Sequence, residues 1–159
     1  MTADLDDLPC AVNRPLAARA RLGRSEAMYR IFFHEDEGYL ETEISGFWTL
    51  DEVFAFDREI RHYIERYGRR FPHFALLSDS RNFAVQSAEV GAAFAACSTA
   101  ANDRHTGLIA VVICSALARI QTKRIVGNGW TQCFFTDMAE ARTFVEADAR
   151  SRAQLRRCA

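Results

Sequence analysis

From residue 29 onward the hydrophobic positions recur with periods of two and of about 3.6 residues, and the switches between them mark out the elements. Tyr29–His34 is aromatic and β-branched, the composition of a strand. Glu35-Asp36-Glu37-Gly38 follows, a polar run closed by glycine that suits a hairpin loop. Tyr39–Ser45 then alternates, with Leu40, Thr42 and Ile44 on one face and Glu41 and Glu43 on the other, which predicts a half-exposed antiparallel strand. Gly46-Phe47-Trp48 turns the chain. Thr49 and Glu52 have capping-box spacing, in which each side chain satisfies a backbone amide that the first helical turn leaves free. Leu50, Val53, Ile60, Ile64 and Tyr67 share one side of the helix that follows, and Gly68 is expected to close it as a left-handed cap. Phe74–Asp79 predicts a short third strand. Ser87 can cap a helix running to about Ala101, with Val90, Phe94, Cys97 and Ala101 as its apolar stripe. Its small residues Gly91, Ala92, Ala93, Ala95 and Ala96 are expected to let it lie close on the sheet. Leu108–Cys114 carries no polar residue and predicts a strand covered on both faces. Ser115 caps a third helix that Gly127 closes before an Asn128-Gly129 turn, Thr131–Phe135 is the last strand, and Asp137 with Glu140 opens a fourth helix with Met138, Ala141, Phe144 and Val145 inward. The order β-β-α-β-α-β-α-β-α predicts an α/β fold, with a mixed sheet built from a leading hairpin and right-handed crossovers.

Length and charge narrow the classes. The 159 residues amount to one domain, assigned to residues 28–150. Residues 1–27 carry Asp4, Asp6 and Asp7, then Arg14, Arg19, Arg21 and Arg24, with no bulky apolar periodicity. They are expected to form a mobile arm, with the native chain beginning at Met28. Residues 151–159 are expected to be a solvated tail. Twenty basic residues against twenty-one acidic ones leave a net charge of −1, which argues against a dedicated nucleic-acid binder. The start is acidic where a signal peptide is basic, and the longest apolar stretch, Gly107–Ala118, is shorter than the ~20 residues a membrane span needs. A cytoplasmic location is expected. The five cysteines, Cys10, Cys97, Cys114, Cys133 and Cys158, form no C-x-x-C pair and are odd in number, so neither a zinc site nor a disulfide framework is expected. Cys97, Cys114 and Cys133 read as buried small hydrophobes.

Ligands of open α/β sheets gather at the carboxyl ends of the strands. Here those ends supply Asp79, Ser80 and Arg81, then Cys114 and Ser115, then Thr136 and Asp137. Ser80, Arg81 and the amides after Ser115 are candidates to hold an anion, because helix N-termini carry partial positive charge. The plainer reading of Asp79 and Arg81 is a local ion pair. Phe83, Val85 and Trp130 are candidates to line an apolar pocket, and the plainer reading is core; Trp48 is expected to anchor the first helix. His34, His62, His73 and His105 are scattered, and no G-x-S-x-G, P-loop or H-E-x-x-H occurs. No catalytic residue, cofactor or metal is assigned, and the chain is not expected to be an enzyme. Arg119, Lys123 and Arg124 give the third helix a basic side, suited to an acidic partner or simply to solvent.

Three stretches, in this order and spacing, resemble the STAS domain and its SpoIIAA-like branch. They are Gly46-Phe-Trp-Thr-Leu-Asp-Glu, then Phe74-Ala-Leu-Leu-Ser-Asp-Ser-Arg-Asn-Phe followed by Gln86-Ser-Ala-Glu-Val, then Phe135-Thr-Asp-Met-Ala-Glu-Ala leading into Phe144-Val. The resemblance implies either a regulatory module that binds a kinase-like protein, switched by phosphorylation of a serine at the start of the second helix, or a small-molecule or lipid-binding module. Few members are enzymes. The family's switch reads roughly Asp-Ser-[Ser/Thr]-Gly, whereas this chain has Gln86-Ser87-Ala88-Glu89, so Ser87 is the hydroxyl left for a phosphate and Glu89 would repel it. The expected function is a non-catalytic regulatory or protein-interaction module acting through Asp79–Ser87 and the second helix. The alternative is a pocket for a small molecule or lipid at the carboxyl ends of the strands. The sheet edge at the hairpin is a candidate surface for a second copy of the chain.

Overall fold

The structure, a computed structural model, describes residues 28–102, 107–126 and 131–157. The elements follow the expected order: β1 (Met28–His34), β2 (Tyr39–Gly46), α1 (Leu50–Tyr67), β3 (Ala75–Phe83), α2 (Ala88–Asn102), β4 (Leu108–Val112), α3 (Ala116–Val126), β5 (Thr131–Phe135) and α4 (Met138–Arg157). The five strands form one sheet in chain order, with β1 antiparallel to β2 and every later pair parallel. A tight loop suffices for the hairpin, whereas each parallel step needs a helix to bring the chain back. The expected arm at residues 1–27 and the turn at Asn128-Gly129 lie outside the described residues.

The side-chain period of two sorts each strand between two layers. Tyr29, Ile31, Phe33, Leu40 and Ile44 pack under α1 and α2 with Val53, Ile64, Val90 and Phe94. On the same layer Ile109, Val111 and Ile113 meet Ala118 and Val126 of α3. The alternate set, Tyr39, Ala75, Leu77, Leu108, Ala110 and Val112, lies under α4 against Ala141 and Val145. β4 is therefore covered on both faces, as its unbroken apolar run predicts.

α1 opens on the expected capping box: Glu52 accepts from the Thr49 amide at 2.6 Å, and the Thr49 hydroxyl accepts from the Glu52 amide at 3.4 Å. Gly68 does not adopt the left-handed conformation expected of it, since its φ is −61°. The chain keeps turning right-handed, with the Arg70 and Phe71 amides both donating to the Tyr67 carbonyl, and the left-handed residue is His73, at φ 55°. What Gly68 supplies is space, because a Cβ there would lie 2.5 Å from the Ile64 carbonyl oxygen.

β3 overruns its expected end at Asp79 and continues to Phe83. Ser45 and Gly46 of β2 pair with Asn82 and Phe83 beyond a bulge, so the ladder holds the polar stretch extended. The small residues of α2 also act differently from expectation. Ala93 packs on the core, while Gly91, Ala92 and Ala95 face α3. α4 continues without a break to Arg157, its last turns exposed, and Phe144 is 40% exposed rather than buried.

Candidate functional site

Between α2 and α3 the surface opens into a groove of about 350 Å³. Gly91, Ala92 and Ala95 form its floor, and Val85, Leu117 and Ile120 form apolar walls. These three walls are 46%, 58% and 50% exposed and line the same groove, so they form one apolar patch rather than scattered side chains. A Cβ added at Gly91 meets nothing within 4 Å, so the floor is open space. Ser87 and Gln86 stand at one end of the groove, and the exposed Arg124 of α3 also lines it.

Two glutamines hold that end. The Gln86 amide nitrogen donates to the Gly46 and Ala84 carbonyls at 3.0 and 2.7 Å, and its side-chain oxygen accepts from the Trp48 backbone amide at 2.8 Å. Gln121 of α3 accepts from the Gln86 backbone amide at 2.6 Å and donates to the Ala84 carbonyl at 3.1 Å. Two half-buried side-chain amides thus add to the last backbone bond, Ala84 to Gly46, where β2 and β3 stop, tying the β2–α1 turn, the β3–α2 loop and α3 together.

The residues singled out from the sequence divide among separate places. Ser87 is exposed and caps α2, accepting from the Val90 amide at 3.2 Å. Ser115 caps α3, accepting from the Ala118 amide at 3.1 Å. Ser80 is buried and shares a 3.0 Å hydrogen bond with the Ser78 hydroxyl. Arg81 points to the opposite face, where two hydrogen bonds of 2.9 and 2.7 Å join it to Asp79. Strand alternation thus keeps Ser80 and Arg81 from converging on one ligand. Phe83 belongs to the core, with its ring 5.5 Å from Trp48 and 5.7 Å from Phe94. Val85, read as core, is instead a groove wall. Trp130 lies outside the described residues. Cys114, expected to be buried, is exposed, and its thiol donates to the Arg81 carbonyl at 3.2 Å. The strand's burial ends at Ile113, so the next side chain faces solvent. Sequence reasoning placed Gln86 within the Asp79–Ser87 segment but gave it no role of its own, and missed Gln121, Leu117 and Ile120; the last two lie three apart on a helix with a basic side, a spacing that puts an apolar strip on one face.

The open face beside α4 carries a second polar cluster. Glu41 accepts from Arg142 at 2.9 and 3.0 Å and lies 2.7 Å from the His34 Nε2, while His34 stacks on Tyr39 at 4.2 Å. Burial raises the Glu41 carboxyl, but the His34 hydrogen bond and the Arg142 charge outweigh it and hold the group below its ordinary 4.5. The Arg81 hydrogen bond likewise holds Asp79 below 3.8, against a smaller effect of burial. A carboxyl with a lowered folded pKa contributes stability that is complete above its unfolded pKa and is lost as pH falls through the folded one. Thermal midpoints should therefore fall between about pH 5 and pH 3, less steeply in Glu41→Gln. Parallel pH curves for the two proteins would remove Glu41 from that account.

An apolar cavity of about 80 Å³ lies under α1 and α2, lined by Val53, Phe56, Ile60, Leu76, Ala101 and Ile109 among others. Ligand pockets run to roughly 300–1,000 Å³, so the groove fits that range and the cavity does not. Among the described residues no group of three or more His, Cys, Asp or Glu side chains is placed to hold a metal ion, and no helix is long and apolar enough to cross a membrane.

No family model matches the chain, and no curated protein matches it. Among solved structures it is similar to an uncharacterised protein of the DUF3478 family, with a SpoIIAA-like fold, from Shewanella loihica PV-4. The TM-score is 0.58 at 14% identity, over 80% of this chain and 99% of the other. The likeness shows that the fold is SpoIIAA-like, as the three sequence stretches implied.

Proposed function

We propose that this SpoIIAA-like domain is a cytoplasmic, non-catalytic protein-interaction module, and that it docks an amphipathic helix of a partner protein in the α2–α3 groove. The groove carries the reading: exposed aliphatic walls over an open floor of small residues suit a helix laid between two helices. Arg124 makes no ion pair with a described carboxylate and favours a partner helix with an acidic residue beside its apolar face. Ser87, exposed at the groove's end, is the place where a phosphate would alter docking, although Glu89 opposes the added charge.

The test uses Gly91→Leu. The added side chain enters open space, and replacing a glycine in the first turn of α2 favours folding by up to about 1 kcal/mol. A photo-crosslinker at Ile120 in the protein's own cells should join one partner, which is then purified and titrated. Gly91→Leu and Leu117→Asp should each weaken that complex by tenfold or more, about 1.4 kcal/mol, while leaving the circular dichroism spectrum unchanged. Unaltered affinity in both variants would sink the reading. A crosslink to another copy of this chain would replace the partner with a homodimer.

A further inference from the structure

We propose that the opposite end of the molecule, where α1 and α4 both finish, is a binding site for a phosphoryl group. Near-neutral net charge conceals a strong local imbalance there. The segment from Glu65 to His73 carries Arg66, Arg69, Arg70 and His73 against one acid, and Arg150–Arg157 carries four arginines and no acid. The fold brings the two segments together. Arg156 donates to the Arg70 carbonyl at 3.2 Å, and the guanidinium carbons of Arg70 and Arg156 lie 5.0 and 5.6 Å from the centre of the same Phe71 ring.

Some of this charge is already answered. Glu35 takes Arg70 at 3.3 Å, and Glu146 and Asp148 take Arg150 and Arg152 along α4. Arg66, Arg69, Arg156 and Arg157 make no ion pair with a described carboxylate. All four are exposed. Cations do complement the negative end of a helix, but that effect is confined to the last turn and worth roughly 0.3–1 kcal/mol. It does not account for Arg69, which stands beyond α1, or for Arg156 reaching across to the α1–β3 turn.

Beside them is a cleft of about 580 Å³, lined by Ile64, Glu65, Arg66, Arg69, Pro72 and His73. Guanidinium groups match phosphate oxygens in pairs, and a dianion would relieve the repulsion between Arg66 and Arg69 in the cleft and between Arg70 and Arg156 over the Phe71 ring. The ligand chemistry is a phosphate monoester or diphosphate, whether free or on a lipid headgroup.

The site stands apart from the α2–α3 groove, so its test is independent. The full chain is titrated with inorganic pyrophosphate at low salt, and separately with phosphatidylcholine vesicles with and without phosphatidic acid. Saturable binding is expected, weakening as salt is raised and falling at least tenfold in Arg69→Gln/Arg156→Gln. Arg66→Gln/Arg157→Gln should behave alike, and Arg124→Gln and Gly91→Leu should match the parent. Because these arginines are exposed, unchanged thermal midpoints are expected to show that the variants fold. Pyrophosphate binding with these losses supports a free phosphate ligand, and binding only to phosphatidic-acid vesicles with the same losses supports a headgroup. Binding to neither probe, or binding that survives both arginine pairs, overturns the proposal.

Discussion

Replacing Trp48 with alanine is expected to cost roughly 3–5 kcal/mol of stability, the range for emptying a buried aromatic site. Trp48 is 5% exposed and sits at the meeting point of four elements. Its ring centroid lies 5.5 Å from Tyr29 of β1, 5.3 Å from Phe56 of α1, 5.5 Å from Phe83 of β3 and 5.2 Å from Phe94 of α2. No neighbour can follow a truncation inward without leaving another of these contacts, so the cavity would stay open. The indole N–H also donates to the Ser45 carbonyl at 2.8 Å, and alanine leaves that oxygen without its partner. Trp48→Phe should recover most of the packing and keep a deficit of about 1 kcal/mol for the lost hydrogen bond. Urea unfolding followed at 222 nm measures both, and unchanged slopes would place the loss in the folded state. A loss below about 1 kcal/mol for the alanine variant would show that the cluster can repack around the gap.

Gly38→Ala is the second large effect, expected at roughly 2–4 kcal/mol from two separate causes. Gly38 closes the β1–β2 hairpin at φ +80°, a backbone conformation that a Cβ makes costly, and its amide donates to the His34 carbonyl at 2.6 Å. An added Cβ would also come within 2.6 Å of the Phe71 ring, which is 9% exposed and packed against Phe33 at 5.3 Å. Phe71→Leu in the Gly38→Ala background should return the crowding part and leave the backbone part. A double-mutant cycle read by thermal unfolding separates them. Strict additivity of the two substitutions would mean that the ring does not press on the turn.

The order of elements was legible in the residues because it depends on neighbours within a few positions. Leu40, Thr42 and Ile44 alternate with Glu41 and Glu43, and β2 buries that face. Thr49 and Glu52 are three residues apart, and the reciprocal cap forms within one turn. Ser87 and Ser115 each cap a helix through an amide three residues on. The unbroken apolar run at Leu108–Val112 needed two covering layers, and it has them.

Tertiary structure decided the rest. The end of β3 beyond Asp79 read as loop because Ser80, Arg81 and Asn82 are polar, yet pairing with β2 keeps it extended, with Ser80 bonded to Ser78 on one face and Arg81 to Asp79 on the other. The groove needed α2 and α3 side by side, which turns the small residues of α2 from a sheet-packing surface into a floor. Gln86 and Gln121 are 35 residues apart, and Arg70 and Arg156 are 86 apart. Periodicity carries information over a turn or a strand. Contacts at those separations are set by which strands pair and where each helix returns across the sheet, and no local spacing encodes them.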